Sequence, residues 1–456
     1  MDMDRRHFIA LAASAAGPIA VASPAPAGTA SRPTAELGLD ATHFGLRPGS
    51  PDDQSRVLQR AVDEAARTRT PLAIPPGVYR VGNIELSKGA QLIGTRGATT
   101  LALTQGPSLL SGLAADHVTL AGLVLDGGGL PLPKERGLVH LESCHAVKIA
   151  DCEIRRAGAN ALVGVNVAGE VTDTAFADAF DAAIHVLDAA GLLIARNRIG
   201  GAGNNGIQVW RSATGDDGTM VIDNRIEDIE ARAGGSGQNG NAINVFRAAN
   251  VIVRGNRIRN CAFSAVRGNA ASNLHIEGNS VSDTREVALY AEFGFEGAVI
   301  ANNTVDGAAI GVSVTNFNEG GRLAVVQGNL IRNLLPMRPG GTDPGDPAGV
   351  GIAVEADTSV TGNVVENALA AGIMIGWGHY LRDVAVTGNV VRRADVGIGV
   401  SVAPGAGTAL IANNVISDTL RGGIVGMTRS KAVTGDLAKP GAEQYAHLTI
   451  SGNRVR

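Results

Sequence analysis

The chain has 456 residues, of which 45% are hydrophobic and only 3% aromatic, with 61 glycines and a formal charge of -4. That apolar fraction suits a large core, while few aromatics and many glycines indicate a repetitive fold of thin cross-sections and tight turns. No broad basic surface and no run of Lys and Arg interleaved with aromatics is present, which excludes nucleic acid as an expected partner.

In chain order, the first element has the pattern of an export signal. Asp4, Arg5, Arg6, His7, Phe8 and Ile9 precede an apolar stretch from Ala10 to Ala22, after which Ser23 opens a Pro/Ala-rich segment. The pattern is that of a twin-arginine signal, cleaved near Ala22 or within the linker. Residues 1–30 are therefore expected to be signal and linker and 31–456 a single exported domain, periplasmic or secreted, with the twin-arginine export machinery as a partner. The apolar stretch contains Gly17 and Pro18 and is shorter than the roughly 18 residues a membrane span requires, so no permanent anchor is expected.

Next, Pro51, Asp52 and Asp53 precede Val57, Leu58, Ala61, Val62, Ala65 and Ala66, spaced to share one helical face. A helix over about 52–67, capped by Asp, would plug the open end of a solenoid. Pro71–Gly82 and Gly89–Gly94 read as the first coil.

A repeat then runs to the C-terminus. A short apolar strand ends in Asn and continues as Arg-Ile or x-Val, giving Asn197, Asn224, Asn256, Asn279, Asn303, Asn329, Asn363, Asn389, Asn414 and Asn453 at steps mostly near 25 residues. Such a period marks a solenoid. Each unit holds a second strand of the form Gly/Ala-Ile-x-Val, seen at Ala183–Val186, Gly206–Val209, Ala242–Val245, Ala309–Val312, Gly351–Val354, Gly372–Ile375, Gly397–Val400 and Gly423–Val425. Ile and Val point inward and x points out. Two or three strands per turn with no intervening helix wind into stacked coils, so the expected fold is an all-β, right-handed single-stranded parallel β-helix with a short capping helix. The ten asparagines are expected to stack at buried corners, tolerating left-handed backbone angles and bonding coil to coil. Cys144, Cys152 and Cys261 read as small core residues, with a Cys144–Cys152 bridge as the alternative in an oxidising compartment.

The capping helix followed by Ile74-Pro75-Pro76-Gly77-Val78-Tyr79 resembles the entry of pectin-lyase-like β-helix proteins. Together with Arg5-Arg6 and the Asn-anchored repeats, nearly the full length is similar to a family described as twin-arginine-translocated β-helix repeat proteins. The superfamily's characterised members include pectate lyases, polygalacturonases, alginate lyases and mannuronan epimerases, so the resemblance implies a polysaccharide ligand. The polygalacturonase pattern of Asn-x-Asp, paired Asp and Gly-His-Gly does not occur in order, since Asp216-Asp217 and Gly378-His379 lie far apart.

The outward positions of the second strand form a groove across the coils. They read His185, Gln208 with Trp210, Asn244 with Phe246, Arg267, Tyr290 with Glu292, Ser313 with Thr315, and Glu355. Insertions at Ile229–Gly240 and Leu334–Ala348 should wall one rim, and Arg211–Gly218 and Asn316–Arg322 the other. Tyr290, His185 and Arg267 are the residue types to abstract a proton beside a uronic carboxylate, which Gln208 or Asn244 would hold neutralised. That is β-elimination or C5 epimerisation of a uronan. His185 and Tyr290 lie four coils apart, about 19 Å, so Arg267, Tyr290, Glu292 and Asn244 form the tighter catalytic set, with Gln208, Trp210, Phe246 and Glu355 as substrate contacts. Hydrolysis would instead need a carboxylate pair, Glu292 with Glu355 or Asp178 with Asp181. Trp377 is a further candidate for stacking on a sugar ring.

No nucleotide, haem or flavin fingerprint appears, so no cofactor is expected. Asp216-Asp217 in a glycine-rich turn is the one place where calcium is conceivable. Non-catalytic glycan binding or an envelope-structural role is the competing function. An end-to-end homo-oligomer would follow if residues 430–445 left the last strand's edge uncovered.

Overall fold

In the computed structural model, residues 38–235 and 237–456 are described; the export signal, the linker and the first residues assigned to the domain lie outside them. Among the described residues, 16 strands form one parallel sheet and 27 more form a second, bent sheet, parallel from coil to coil except where Lys431–Asp436 folds back antiparallel on Val415–Thr428. This is a right-handed parallel β-helix. One coil runs, for example, through Met220–Ile222 in the first sheet, turns at Asn224 into Arg225–Ile229, and bends again into Asn241–Ala249. The inward residues, such as Val221, Ile226, Ile243 and Val245, are fully buried and stack with their equivalents into one continuous core. No helix among the described residues is long and apolar enough to cross a membrane.

The N-terminal end is closed by helix α1, Ser55–Thr68, which buries Leu58, Ala61, Val62 and Ala65. It starts three residues later than the sequence suggests. Gln54 occupies the cap position but spends its amide on the Arg47 backbone, while Asp53 accepts from the Ser55 N–H at 2.9 Å and thus serves the helix from one residue further out.

All ten repeat asparagines stack in one column. Asn256 shows the pattern: its Oδ1 accepts from both the N–H and the Nδ2 of Asn224 at 2.9 and 3.0 Å, and its own N–H and Nδ2 donate to Asn279 Oδ1. The left-handed residue, however, is the one before each ladder asparagine. Arg196, Asp223, Asn302 and Asn413, with φ between 56 and 58°, and Gly255, Gly278, Gly328, Gly362, Gly388 and Gly452 hold that position. The division of labour is physical, because the preceding residue turns the chain and the asparagine satisfies the buried corner's polar groups. Thr174 continues the column upward, donating its N–H to Asn197 Oδ1, and Cys152 follows it. All three cysteines are buried and unpaired.

Stacked glycines explain the recurrent Gly-Ile-x-Val motif. A Cβ on Gly351 would lie 2.4 Å from the Gly372 carbonyl oxygen, and one on Gly397 2.5 Å from that of Gly423. One coil departs from the sequence reading. Ile310 pairs with Val350 and belongs to an outer apolar cluster, while Val312 takes the inward place opposite Ile352, so the motif there is Gly311–Val314 rather than Ala309–Val312.

Candidate functional site

The outward column of the second strand is His140, Val163, His185, Gln208, Asn244, Arg267, Tyr290, Ser313, Ala353 and Met374, each directly paired with the next. His185 and Tyr290 are thus four coils apart, as their spacing suggests. Two residues further along the same strands, Trp210, Phe246, Asn269, Glu292 and Thr315 form a second column. Pairing of Val314 with Val354 brings Glu355 beside Thr315, on the coil after it.

At the N-terminal part of this face lies a pocket of about 580 Å³ lined by His185, Gln208, Trp210, Asp181, Asn160 and Phe180 among others. His185 Nδ1 lies 2.8 Å from Gln208 Oε1. Burial lowers the His185 pKa, against the opposing pull of Gln208, which favours a neutral imidazole at neutral pH. Trp210 packs edge-on between His185 and Phe246 and donates its Nε1–H to Asn244 Oδ1 at 3.0 Å. Asn244 in turn donates Nδ2–H to the Gly237 carbonyl. Its amide therefore joins the tryptophan to the rim loop, and is committed at both ends rather than open to a ligand carboxylate. Asp178 does not line this pocket, so it is not paired with Asp181 across it.

The central coils hold a buried charge network. Arg267 donates from Nε and Nη2 to both oxygens of Glu292 at 2.7 and 2.9 Å, and its Nη1 reaches Glu286 at 3.4 Å. Asn269 adds a bond to Glu292 and Ser264 one to Glu286. Arg338, from the second rim insertion, sits 3.9 Å from Glu286 and pairs with Asp346. The two insertions approach one another at Gly235 and Gly341, covering the network as the sequence reading of a common rim requires. Arg267 is 8% exposed and Glu292 and Glu286 are 0% and 2%. These carboxylates and guanidiniums therefore engage each other: of the tight set expected from the sequence, Arg267 and Glu292 form a clasp, while Asn244 is turned to Trp210 and the Gly237 carbonyl. Residue type and register revealed Arg267 and Glu292, but Glu286 and Arg338 lie outside the outward positions and no pattern announced them.

Tyr290 is the member of that set that faces open space. It lines a pocket of about 120 Å³ with Ser313, Thr315, Arg338, Asp346, Glu355 and Trp377. The Arg267 guanidinium lies 4.9 Å from its ring centre. Burial and the Glu292 charge push its phenol well above the ordinary value, so the hydroxyl stays protonated and can offer a hydrogen bond but no phenolate base. Glu355 Oε2 accepts the backbone N–H groups of Asn316 and Phe317 at 2.9 and 3.0 Å, presented by the opposite rim insertion. Burial raises the Glu355 pKa, against those two bonds. Both rims thus converge here, one supplying Asp346 and the other fixing Glu355. Glu292 and Glu355 are two coils apart, but Glu292 is locked to Arg267, and Asp346 is the second carboxylate of this pocket. Trp377 flanks it, and beyond lie Phe317, His379 and Tyr380 in mutual ring contact.

The Asp216-Asp217 turn suits calcium poorly. Asp216 accepts from Asn250, and Asp217 accepts from the Thr219 N–H with the Arg211 guanidinium 3.9 Å away, a cation already in place. Among the described residues no group of three His, Cys, Asp or Glu is arranged to hold a metal ion.

A family model described as a right handed beta helix region matches residues 136–331. The chain carries the β-helix repeat. No curated protein matches by sequence. Among solved structures, the N-terminal fragment of bacteriophage phi29 gene product 12 superposes with a TM-score of 0.57 at 14% identity, over 86% of this chain and 80% of that one. The Dettilon tailspike protein gives 0.50 at 12%, over 80% and 68%. The A-module of an Azotobacter vinelandii mannuronan C-5 epimerase gives 0.43 at 14%, over 92% and 99%. At these identities the likeness is one of fold.

Proposed function

We propose that the protein binds a polysaccharide across its outer face, from the His185–Trp210 pocket to the Tyr290–Glu355 pocket, and hydrolyses it at the latter. The observation that carries this is Glu355, a carboxyl with one oxygen anchored by two backbone amides, in a small pocket that also holds the Asp346 carboxylate and Trp377. A carboxyl whose pKa burial raises and a second carboxylate, here Asp346 paired with Arg338, are the two groups glycoside hydrolysis requires. Glu355 gives its proton to the glycosidic oxygen, and the C1–O bond breaks with its electron pair on that oxygen. A water that loses a proton to Asp346 then adds its hydroxyl to C1. Tyr290, Ser313 and Thr315 supply hydroxyls to orient the sugar.

Elimination or C5 epimerisation of a uronan, the chemistry suggested by the residue types alone, is the second reading. It is favoured by the Arg267 guanidinium beside the Tyr290 ring. Against it, Arg267 and Arg338 are matched by Glu286, Glu292 and Asp346, leaving neither of these cations free for a uronic carboxylate, and the Tyr290 phenol is held protonated and cannot act as the base. The activity belongs outside the cytoplasm on the strength of Arg5-Arg6 and the following apolar stretch, and Lys at both positions should leave the protein unexported.

The test is to incubate the mature protein with neutral and uronate polysaccharides, following reducing ends together with the ultraviolet absorbance of unsaturated products. New reducing ends without absorbance, abolished by Glu355→Gln, are expected. A rise in absorbance transfers the assignment to elimination. Binding without either signal makes this a non-catalytic glycan-binding protein.

A further inference from the structure

Many arginines on the outside of this solenoid are matched with an acid one coil away. Arg155 pairs with Asp126, Arg196 with Asp173, Arg259 with Glu227, Arg332 with Asp306, Arg382 with Asp357 and Arg392 with Glu366. Such cross-strand pairs are the favourable arrangement on a sheet, and like charges directly opposite are the unfavourable one. In one column arginine instead faces arginine. Arg198 pairs with Arg225, and Arg225 with Arg257, in the strands that follow the asparagine ladder. All three are exposed, and among the described residues none makes an ion pair or a side-chain hydrogen bond. The column is bounded by Ala175 before it and Ser280 after it, so it is three coils long.

We propose that the Arg198–Arg225–Arg257 ladder is a binding site for an extended carboxylated polysaccharide, separate from the groove described above and independent of what that groove does. Three guanidiniums held in register about 4.8 Å apart on a rigid sheet offer one positive charge per coil. A 1,4-linked polyuronate presents one carboxylate per sugar at nearly that advance along its length. Duplex DNA places its phosphates about 3.4 Å apart along the axis of each strand and does not match. The three charges repel one another in the free protein, and a ligand carrying three anions removes that repulsion on binding.

The experiment measures binding of polygalacturonate to the whole mature protein at low and moderate salt. The comparisons are R198Q, R225Q and R257Q, singly and together, R332Q on the same face, and duplex DNA of matched charge. Each ladder substitution should weaken polygalacturonate roughly threefold at low salt and the triple variant about thirtyfold, R332Q should change nothing, and the salt dependence should shrink with each arginine removed. The triple variant should melt no lower than the wild type, since it loses only repulsion. Absence of binding by the wild type, undiminished affinity of the triple variant, equal loss in R332Q, or equal affinity for DNA each overturns the proposal.

Discussion

Two side chains carry opposite meanings for their charge. Arg267 is a buried cation satisfied on every side, so Arg267→Ala strands Glu292 and Glu286 in the clasp, and such a loss costs about 3–5 kcal/mol, measurable by denaturant unfolding; a drop under about 1 kcal/mol would mean that water reaches the clasp. Glu355 is a carboxyl whose folded-state pKa lies above its unfolded value because burial outweighs the Asn316 and Phe317 amides. A raised value means that the folded protein holds the proton more tightly, so Glu355 favours folding below its unfolded pKa and that contribution disappears as pH rises through the folded one. Melting of Glu355→Gln against wild type should therefore shift in the variant's favour from acid to neutral pH. A constant difference across that range would show that the group titrates normally. The same proton makes hydrolysis fail at a higher pH than for an exposed glutamate, visible in the alkaline limb of kcat.

At the scale of the element, the asparagine ladder is the most cooperative part of the molecule. Asn256→Ala removes the acceptor for two Asn224 donors and the donors to Val221 and Asn279, leaving buried polar groups unpaired. At about 1–3 kcal/mol for a stranded group, a loss on the order of 3 kcal/mol is expected; Asn453→Ala, in a half-buried position where it accepts from Asn414 and donates to the Ile411 carbonyl, should lose less, and equal losses would show that the rungs act independently of burial. This ladder was legible in the sequence because corner chemistry repeats with the coil, and so were the outward column and the rims, which follow from strand period and insertion length. The left-handed turn was misassigned by one residue because glycine, aspartate, asparagine and arginine share that place, and no single residue type marks it. The clasp was hidden for a different reason. Register tells which side chains are neighbours, but not that Arg267 and Glu292 close on each other, nor that Arg338 reaches back across the rim. The Ala309–Val312 misreading has the same origin, since two apolar residues two apart satisfy the pattern in either frame.

For the whole molecule, stability is a sum over neighbouring coils, and that sum is uneven. Leu448, Ile450 and Val455 are half-buried, whereas Ala409, Ile411 and Ile416, their partners one coil earlier, are buried. Hydrogen exchange should therefore be fastest in Leu448–Ser451 and slowest through the clasp and the central ladder; uniform protection would point to all-or-none unfolding instead. The opposite end is held by α1, whose Leu58 and Val62 seal the core. Coil stacking has one more consequence. The two pockets are set on different coils of a ladder whose rungs are about 4.8 Å apart, and each of its asparagine rungs offers its neighbours the same corner. Duplicating one full repeat between Gln208 and Tyr290 would leave the asparagine ladder and the core continuous, but it would part the rim contact at Gly235 and Gly341 and move the two pockets one coil further apart. The length of ligand that can touch both can thus change only in whole-number steps, and each step asks the two rim insertions to meet again across a different number of coils.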